Sequence, residues 1–189
     1  MSAFETLPRR RWTVEEFQHA ARAGVFGEDE RLELLFGEIV PAMPPDPSHS
    51  GSTGSLDDIL RRIFAGADCF IRAENPLVIP GDGQPEPDIA VIRGSRQDFF
   101  QHHPTPTDVL LLIEVSGSTL TTDRSVKGPL YAGAGIPEYW ILNLPGRQLE
   151  VHRTPQNGVW TQTFVVPETG AVSPLAAPGA TVAVADLLP

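Results

Sequence analysis

The stretch VLLLIEVS, Val109–Ser116, constrains this chain more than any other. Nearly every position is apolar, with no alternation toward water. A strand of that kind is covered on both faces, so it belongs at the centre of a sheet with a layer on each side. Glu114 interrupts the run near its end. An isolated ionised carboxylate beside apolar strands is costly to bury, so the sequence first asks what partners Glu114.

The rest of the chain supplies the layers. TVEEFQHAARAG predicts a helix, with Thr13 and Glu16 forming a capping box and Gly24 stopping it. RLELLFGEIVPAM holds two short strands around Phe36-Gly37. In SHSGSTGSLDDILRRIFAG, Leu56, Ile59, Leu60, Ile63 and Phe64 fall at helical spacing, while the Gly- and Ser-rich front reads equally as loop. DCFIRAENPLVIP is extended, GDGQ is a turn, and the next strand's apolar run starts right after Asp88. SRQDFFQHHPTPTD is a loop or broken helix. DRSVKGPLYAGAG predicts a helix from about Asp123, kinked or delayed by Gly128-Pro129. EYWILNL is a second buried strand, in which Glu138, Tyr139 and Trp140 serve packing. A hairpin turning at Asn157-Gly158 follows, then a Pro- and Ala-rich tail with a last strand or short helix. This order predicts one mixed β-sheet flanked by helices, an α/β or α+β fold.

Composition bounds the class. A chain of 189 residues suits a single domain, 1–189, and its 41% apolar content supports a sizeable core. No apolar run nears the roughly 18 residues of a membrane span. The opening MSAFETLPRRRWTVEEF holds no apolar leader, so a reducing cytoplasm is expected. Cys69, the one cysteine, excludes an internal disulfide framework and reads as buried filler. The net charge of −10 argues against tight non-specific binding of nucleic acid. Arg9–Arg11 and Arg61 with Arg62 read as solvated surface. His102-His103 reads as a surface pair, since neighbours on an extended chain point apart.

Asp88 begins one apolar strand and Glu114 lies near the end of another. If those strands are antiparallel neighbours, the two carboxylates share one rim of the sheet. A divalent cation would then offset their burial, and oxygen donors of this kind suit Mg²⁺, or Mn²⁺. Such an ion activates water and stabilises charge on a phosphoryl oxygen, and a nearby lysine adds to that stabilisation.

EPDIAVI, LLIEVSGST, DRSVK and YAGAGIPEYWIL, in this order, resemble the Uma-type restriction-endonuclease domains of the PD-(D/E)XK nuclease superfamily. RLELLFGEIV and PSHS resemble two further segments of that family. The resemblance covers about residues 12–154 and leaves a C-terminal β extension. It implies a restriction-endonuclease-like fold, metal-dependent phosphodiester hydrolysis of DNA, and a homodimer. By this resemblance Asp88 and Glu114 hold the metal and Glu33 completes its shell. Ser116 stands where the family's usual lysine would be, and Lys127 on the following helix takes over that role. His49 faces the same site.

Each of these residues also has an ordinary structural reading. Asp88 follows a proline and suits a turn or cap, and Glu114 suits an arginine at a sheet end. Lys127 suits a solvated helix face, Glu33 a strand face toward water, and His49 a helix cap. Two other functions compete with the nuclease. One is a catalytically degenerate binding module that keeps the fold, and the other is a carboxylate-pair hydrolase of glycans.

Overall fold

A computed structural model of the chain describes residues 10–27 and 29–189. The N-terminal leader question and Arg9 lie outside the described residues. The elements follow in order: α1 (Val14–Arg22), β1 (Leu32–Leu35), β2 (Glu38–Pro41), α2 (Pro47–Ile63), β3 (Cys69–Ala73), β4 (Gly83–Gln84), β5 (Ile89–Arg93) and β6 (Val109–Ser116). Then come α3 (Leu120–Thr122), a π-helical turn (Asp123–Lys127), α4 (Gly128–Gly133), β7 (Glu138–Asn143), β8 (Gln148–Gln156), β9 (Val159–Pro167), β10 (Ala171–Val172) and β11 (Val182–Ala183).

The main sheet has six strands in the order β3-β5-β6-β7-β8-β9, parallel only between β6 and β7. VLLLIEVS is therefore interior, as a strand apolar at nearly every position requires. Leu111, Ile113 and Val115 point to the side where Leu56, Leu60 and Phe64 of the α2 segment pack. Leu112 points to the opposite side, toward Leu130, Tyr131 and Leu35. Glu114 alternates with Leu112 and so faces this second layer. That layer is completed by a small sheet ordered β2-β1-β4.

Local chemistry explains the element ends. Thr13 and Glu16 close the expected capping box, and Gly24 stops α1 with φ +70°. Asp46 caps α2 by accepting from the His49 N–H at 2.9 Å, and Pro47 occupies a position where a missing N–H costs nothing. The Gly- and Ser-rich front is therefore helix, not loop. Asn157 and Gly158 both take positive φ, 51° and 78°, as the tight hairpin turn demands.

Two expectations are corrected here. The helical stretch between β6 and β7 begins at Leu120, ahead of Asp123, so Lys127 lies deeper in it than expected. Gly128-Pro129 does not delay it. The chain widens into a π turn instead, with the Gly128 N–H donating to the Asp123 carbonyl. Proline cannot make the ordinary helical hydrogen bond, and the wider turn absorbs that loss. Cys69 is half-buried at the start of β3 and packs against the margin of the core.

Candidate active site

Ile89 pairs with Ile113 across the antiparallel β5–β6 ladder, so the residues one step outward, Asp88 and Glu114, come to the same rim. Asp88 Oδ2 accepts from the Val115 N–H at 2.6 Å and from His49 Nε2 at 3.1 Å. That bond to Asp88 raises the pKa of His49, against the effect of its burial. Thr53 Oγ1 stands 3.5 Å from the other ring nitrogen of His49. His49 is thus a partner of Asp88, while the capping role belongs to Asp46.

Lys127 is the centre of the site. The π turn aims its side chain inward, where it is only 7% exposed. Its Nζ lies 3.0 Å from Glu33 Oε1 on β1 and 3.0 Å from Glu114 Oε1 on β6. Glu33 is buried as well, and its Oε1 also accepts from the Glu86 N–H at 2.6 Å. Glu114 receives a further bond from the Tyr131 hydroxyl at 2.8 Å. The solvated readings of Lys127 and Glu33 do not describe this protein. These side chains line one cavity of about 310 Å³, together with Arg31, Glu86 and Asp123.

The charges do not balance. Burial alone would lower the pKa of Lys127, but Glu114, Glu33, Asp123 and Asp88 outweigh it and hold the ammonium charged. Burial pushes Glu114 well above the usual carboxylate range, and the neighbouring acids add to that push against the pull of Lys127. Asp123 is raised by burial too, although the Ser116 hydroxyl donates to it at 2.7 Å. Glu86 is likewise raised, chiefly by burial. Acidic side chains outnumber Lys127 and Arg31, the lysine and arginine that line the cavity.

A family model described as "Uma2: Putative restriction endonuclease" matches residues 14–185. The chain belongs to this family. The matched residues include β10 and β11. A crystal structure described as a "putative nuclease belonging to DUF820" from Anabaena variabilis ATCC 29413 has the same fold. It aligns with a TM-score of 0.70 and 19% identity over 93% of this chain and 96% of its own. No curated protein matches the chain in sequence.

The donors that line this cavity are of a kind that could hold a hard divalent cation. They are carboxylate oxygens gathered in one cavity, with Asp88 and Glu114 meeting at its rim. Among the described residues, no three His, Cys, Asp or Glu side chains form a ready cage. Mg²⁺ does not need one, because it keeps several waters and takes one or two carboxylates.

Asp123, Tyr131 and Glu86 carry no site role in the sequence reading, and Ser116 was read there only as a missing lysine. Asp123 stands four residues before Lys127 and Tyr131 four residues after it, a spacing that puts all three near one face of a helix. Glu86, two residues before Asp88, joins the cavity wall and pairs with Arg31 at 3.5 Å. Ser116, at the usual lysine position, is fully buried and holds Asp123.

Proposed function

We propose that this chain is a metal-dependent endonuclease that hydrolyses phosphodiester bonds in DNA. The observation that carries the reading is Lys127 Nζ at 3.0 Å from both Glu33 and Glu114, in the cavity that also holds Asp88. Asp88 and Glu114 would hold Mg²⁺ or Mn²⁺, which supplies an activated water and charge stabilisation at the phosphoryl oxygen. Glu33 holds the Lys127 ammonium in place through its own fixed carboxylate. Lys127 then presents positive charge where negative charge develops in the transition state. His49 and the Val115 N–H fix the orientation of Asp88. The Tyr131 hydroxyl donates a hydrogen bond to Glu114 Oε1 and fixes its orientation.

The decisive assay is a panel of linear, supercoiled and single-stranded DNA and RNA, each with Mg²⁺, with Mn²⁺ and with chelator. Cleavage of DNA that chelator abolishes supports the proposal, and a parent protein inert on every substrate overturns it. Asp88→Asn and Glu114→Gln are expected to lose divalent-ion binding in calorimetric titration along with cleavage. A variant that retains full ion affinity removes that residue from the metal site.

One observation favours a second reading, a degenerate binding module. The Glu33–Lys127–Glu114 ion pairs close on one another without any added group. In that case titration of the parent shows no specific divalent binding.

We also propose a homodimer, with a cytoplasmic location. Strand β9 ends the sheet, and its sequence VWTQTFVVP carries no charged side chain. Sheet edges are ordinarily guarded by charge, proline or a cover. Val159 and Val165 on this strand are 63% and 51% exposed, so a second copy would cover apolar surface there. Light scattering at micromolar concentration should give the dimer mass, and Val165→Lys should shift it toward monomer. A parent that is monomeric throughout removes the claim.

A further inference from the structure

The opposite edge of the main sheet, along β3, carries a different surface. Arg72, Arg96, Phe70, Phe99, Phe100 and His103 line a groove of about 490 Å³. A second hollow of about 300 Å³ adjoins it and shares Arg61, Phe70 and Arg96. In a chain of net charge −10, this is a local concentration of cations.

The arginines are arranged for an outside partner. Arg61 is engaged by Asp57 at 2.6 Å, but among the described residues no carboxylate forms a salt bridge with Arg72 or Arg96. Arg96 is anchored by neutral contacts, donating to the Ile71 carbonyl at 3.2 Å and lying 5.5 Å above the Phe70 ring. Among the described residues, the Arg72 guanidinium donates to the Asn75 side-chain oxygen at 3.4 Å. Burial and the charge of Arg96 both push Arg72 below its usual pKa, so the two cations repel across the groove. An arriving anion relieves that repulsion. Phe100 projects beside them, 75% exposed, where a large apolar ring has no folding role.

We propose that the β3 groove binds an unpaired segment of nucleic-acid strand, with its phosphates on Arg72 and Arg96 and a base stacked on Phe100. Cationic grooves with accessible aromatic rings grip single strands in this manner, since every base has a face to stack. The groove also leads to the candidate active site. Ala73 and Asn75 line it, while Glu74 between them lines the active-site cavity and donates its N–H to the Asp88 carbonyl at 3.0 Å. A strand lying along β3 would run directly toward the Asp88–Glu114 rim. This inference names the partner of the proposed nuclease site and rests on that reading for its purpose, while the binding itself is tested independently.

The test is fluorescence anisotropy with a labelled single strand of about 12 nucleotides, a length within the range of single-strand sites. Chelator is present, so hydrolysis plays no part. The parent should bind, with affinity falling as salt rises. Arg72→Ala with Arg96→Ala should weaken binding about 10-fold or more and reduce the log–log salt slope by roughly 1.4, since each phosphate contact on a single strand contributes about 0.7. Phe100→Ala should weaken binding about 10-fold and leave the salt slope unchanged, as expected for lost stacking. Circular dichroism verifies that each variant is folded, and Arg72→Lys with Arg96→Lys should retain most of the salt slope. Equal affinity and slope in parent and double-alanine variant overturn the proposal, as does tighter binding of an acidic peptide than of the strand. A protein that binds strand through these residues and never cuts keeps this inference and loses the nuclease reading. A protein that cuts DNA with binding indifferent to Arg72 and Arg96 does the reverse.

Discussion

Lys127→Met is expected to lower DNA cleavage by at least about 100- to 1,000-fold, the size of effect that follows loss of one transition-state charge stabiliser. The lysine is not a ligand of the proposed metal, so ion binding should survive. Folding will not be indifferent. Removing the ammonium leaves Glu33 and Glu114 buried against each other with no cation between them. Breaking a buried pair in this way typically costs about 3–5 kcal/mol. The penalty depends on pH. Glu114 already has a folded pKa above its ordinary value, and losing Lys127 raises it further. The folded state then binds more protons than the unfolded one, so stability falls as pH rises from the ordinary carboxylate value of about 4.3 through the raised folded value. Urea unfolding at a series of pH values reads the effect, and added Mg²⁺ should recover part of it. A variant that cleaves as fast as the parent leaves Lys127 with no catalytic role. One equally stable at all pH values shows that the ion pairs contribute nothing to the fold.

What was legible in the sequence followed from patterns that leave few solutions. VLLLIEVS had to be interior because no exposed face could be made from it, and β6 is interior. Asp88 and Glu114 could be brought together on paper because each sits at the end of an apolar run, and antiparallel pairing joins start to end. The Asn157-Gly158 turn was legible because few residues accept positive φ twice in succession. The capping box of α1 was legible for a similar reason, since Thr13 and Glu16 satisfy each other locally.

What was not legible depended on distant groups meeting. RLELLFGEIV reveals which residues of β1 share a face, but not that Lys127 covers Glu33. A lysine on a helix reads as solvated until its helix is placed, and its placement here depends on the π turn. That turn is stabilised by the Asp123 carbonyl accepting from both the Gly128 N–H and the Tyr139 hydroxyl, the latter at 3.2 Å. Tyr139 comes from the next strand, so no local propensity announces the arrangement. Asp46 before Pro47 is a local helix-start signal, and the cap it forms sets His49 in the first turn of α2.

Arg153→Leu should destabilise the protein by about 3–5 kcal/mol, lowering Tm by roughly 10 °C in a chain of this size. Glu138 opens β7 and is fully buried, so its charge has no access to water. Arg153 Nε donates to Glu138 Oε1 at 2.7 Å, and the same oxygen accepts from Trp140 Nε1 at 2.8 Å. Glu138 Oε2 accepts from the Leu175 N–H at 2.7 Å, and Arg153 Nη2 donates to the Ser173 carbonyl at 2.6 Å. One ion pair therefore ties three parts of the chain together: β7, β8 and the segment leading to β11. Leucine keeps apolar bulk beside Phe164, over which the guanidinium now lies at 5.3 Å, but it supplies no charge. The two remaining N–H donors soften the loss without replacing the cation. Arg153→Leu combined with Glu138→Gln should recover part of the stability, because the amide oxygen still accepts from Trp140 while the buried charge is gone. Thermal and urea unfolding of both variants decide the matter. A loss under about 1 kcal/mol in the single variant, or a double variant weaker than the single, would mean that Glu138 is held by its N–H donors alone. The site should be affected only through the fold, since β7 runs parallel beside β6 with Ile141 opposite Glu114. At temperatures where Arg153→Leu remains folded, its cleavage rate should match the parent's.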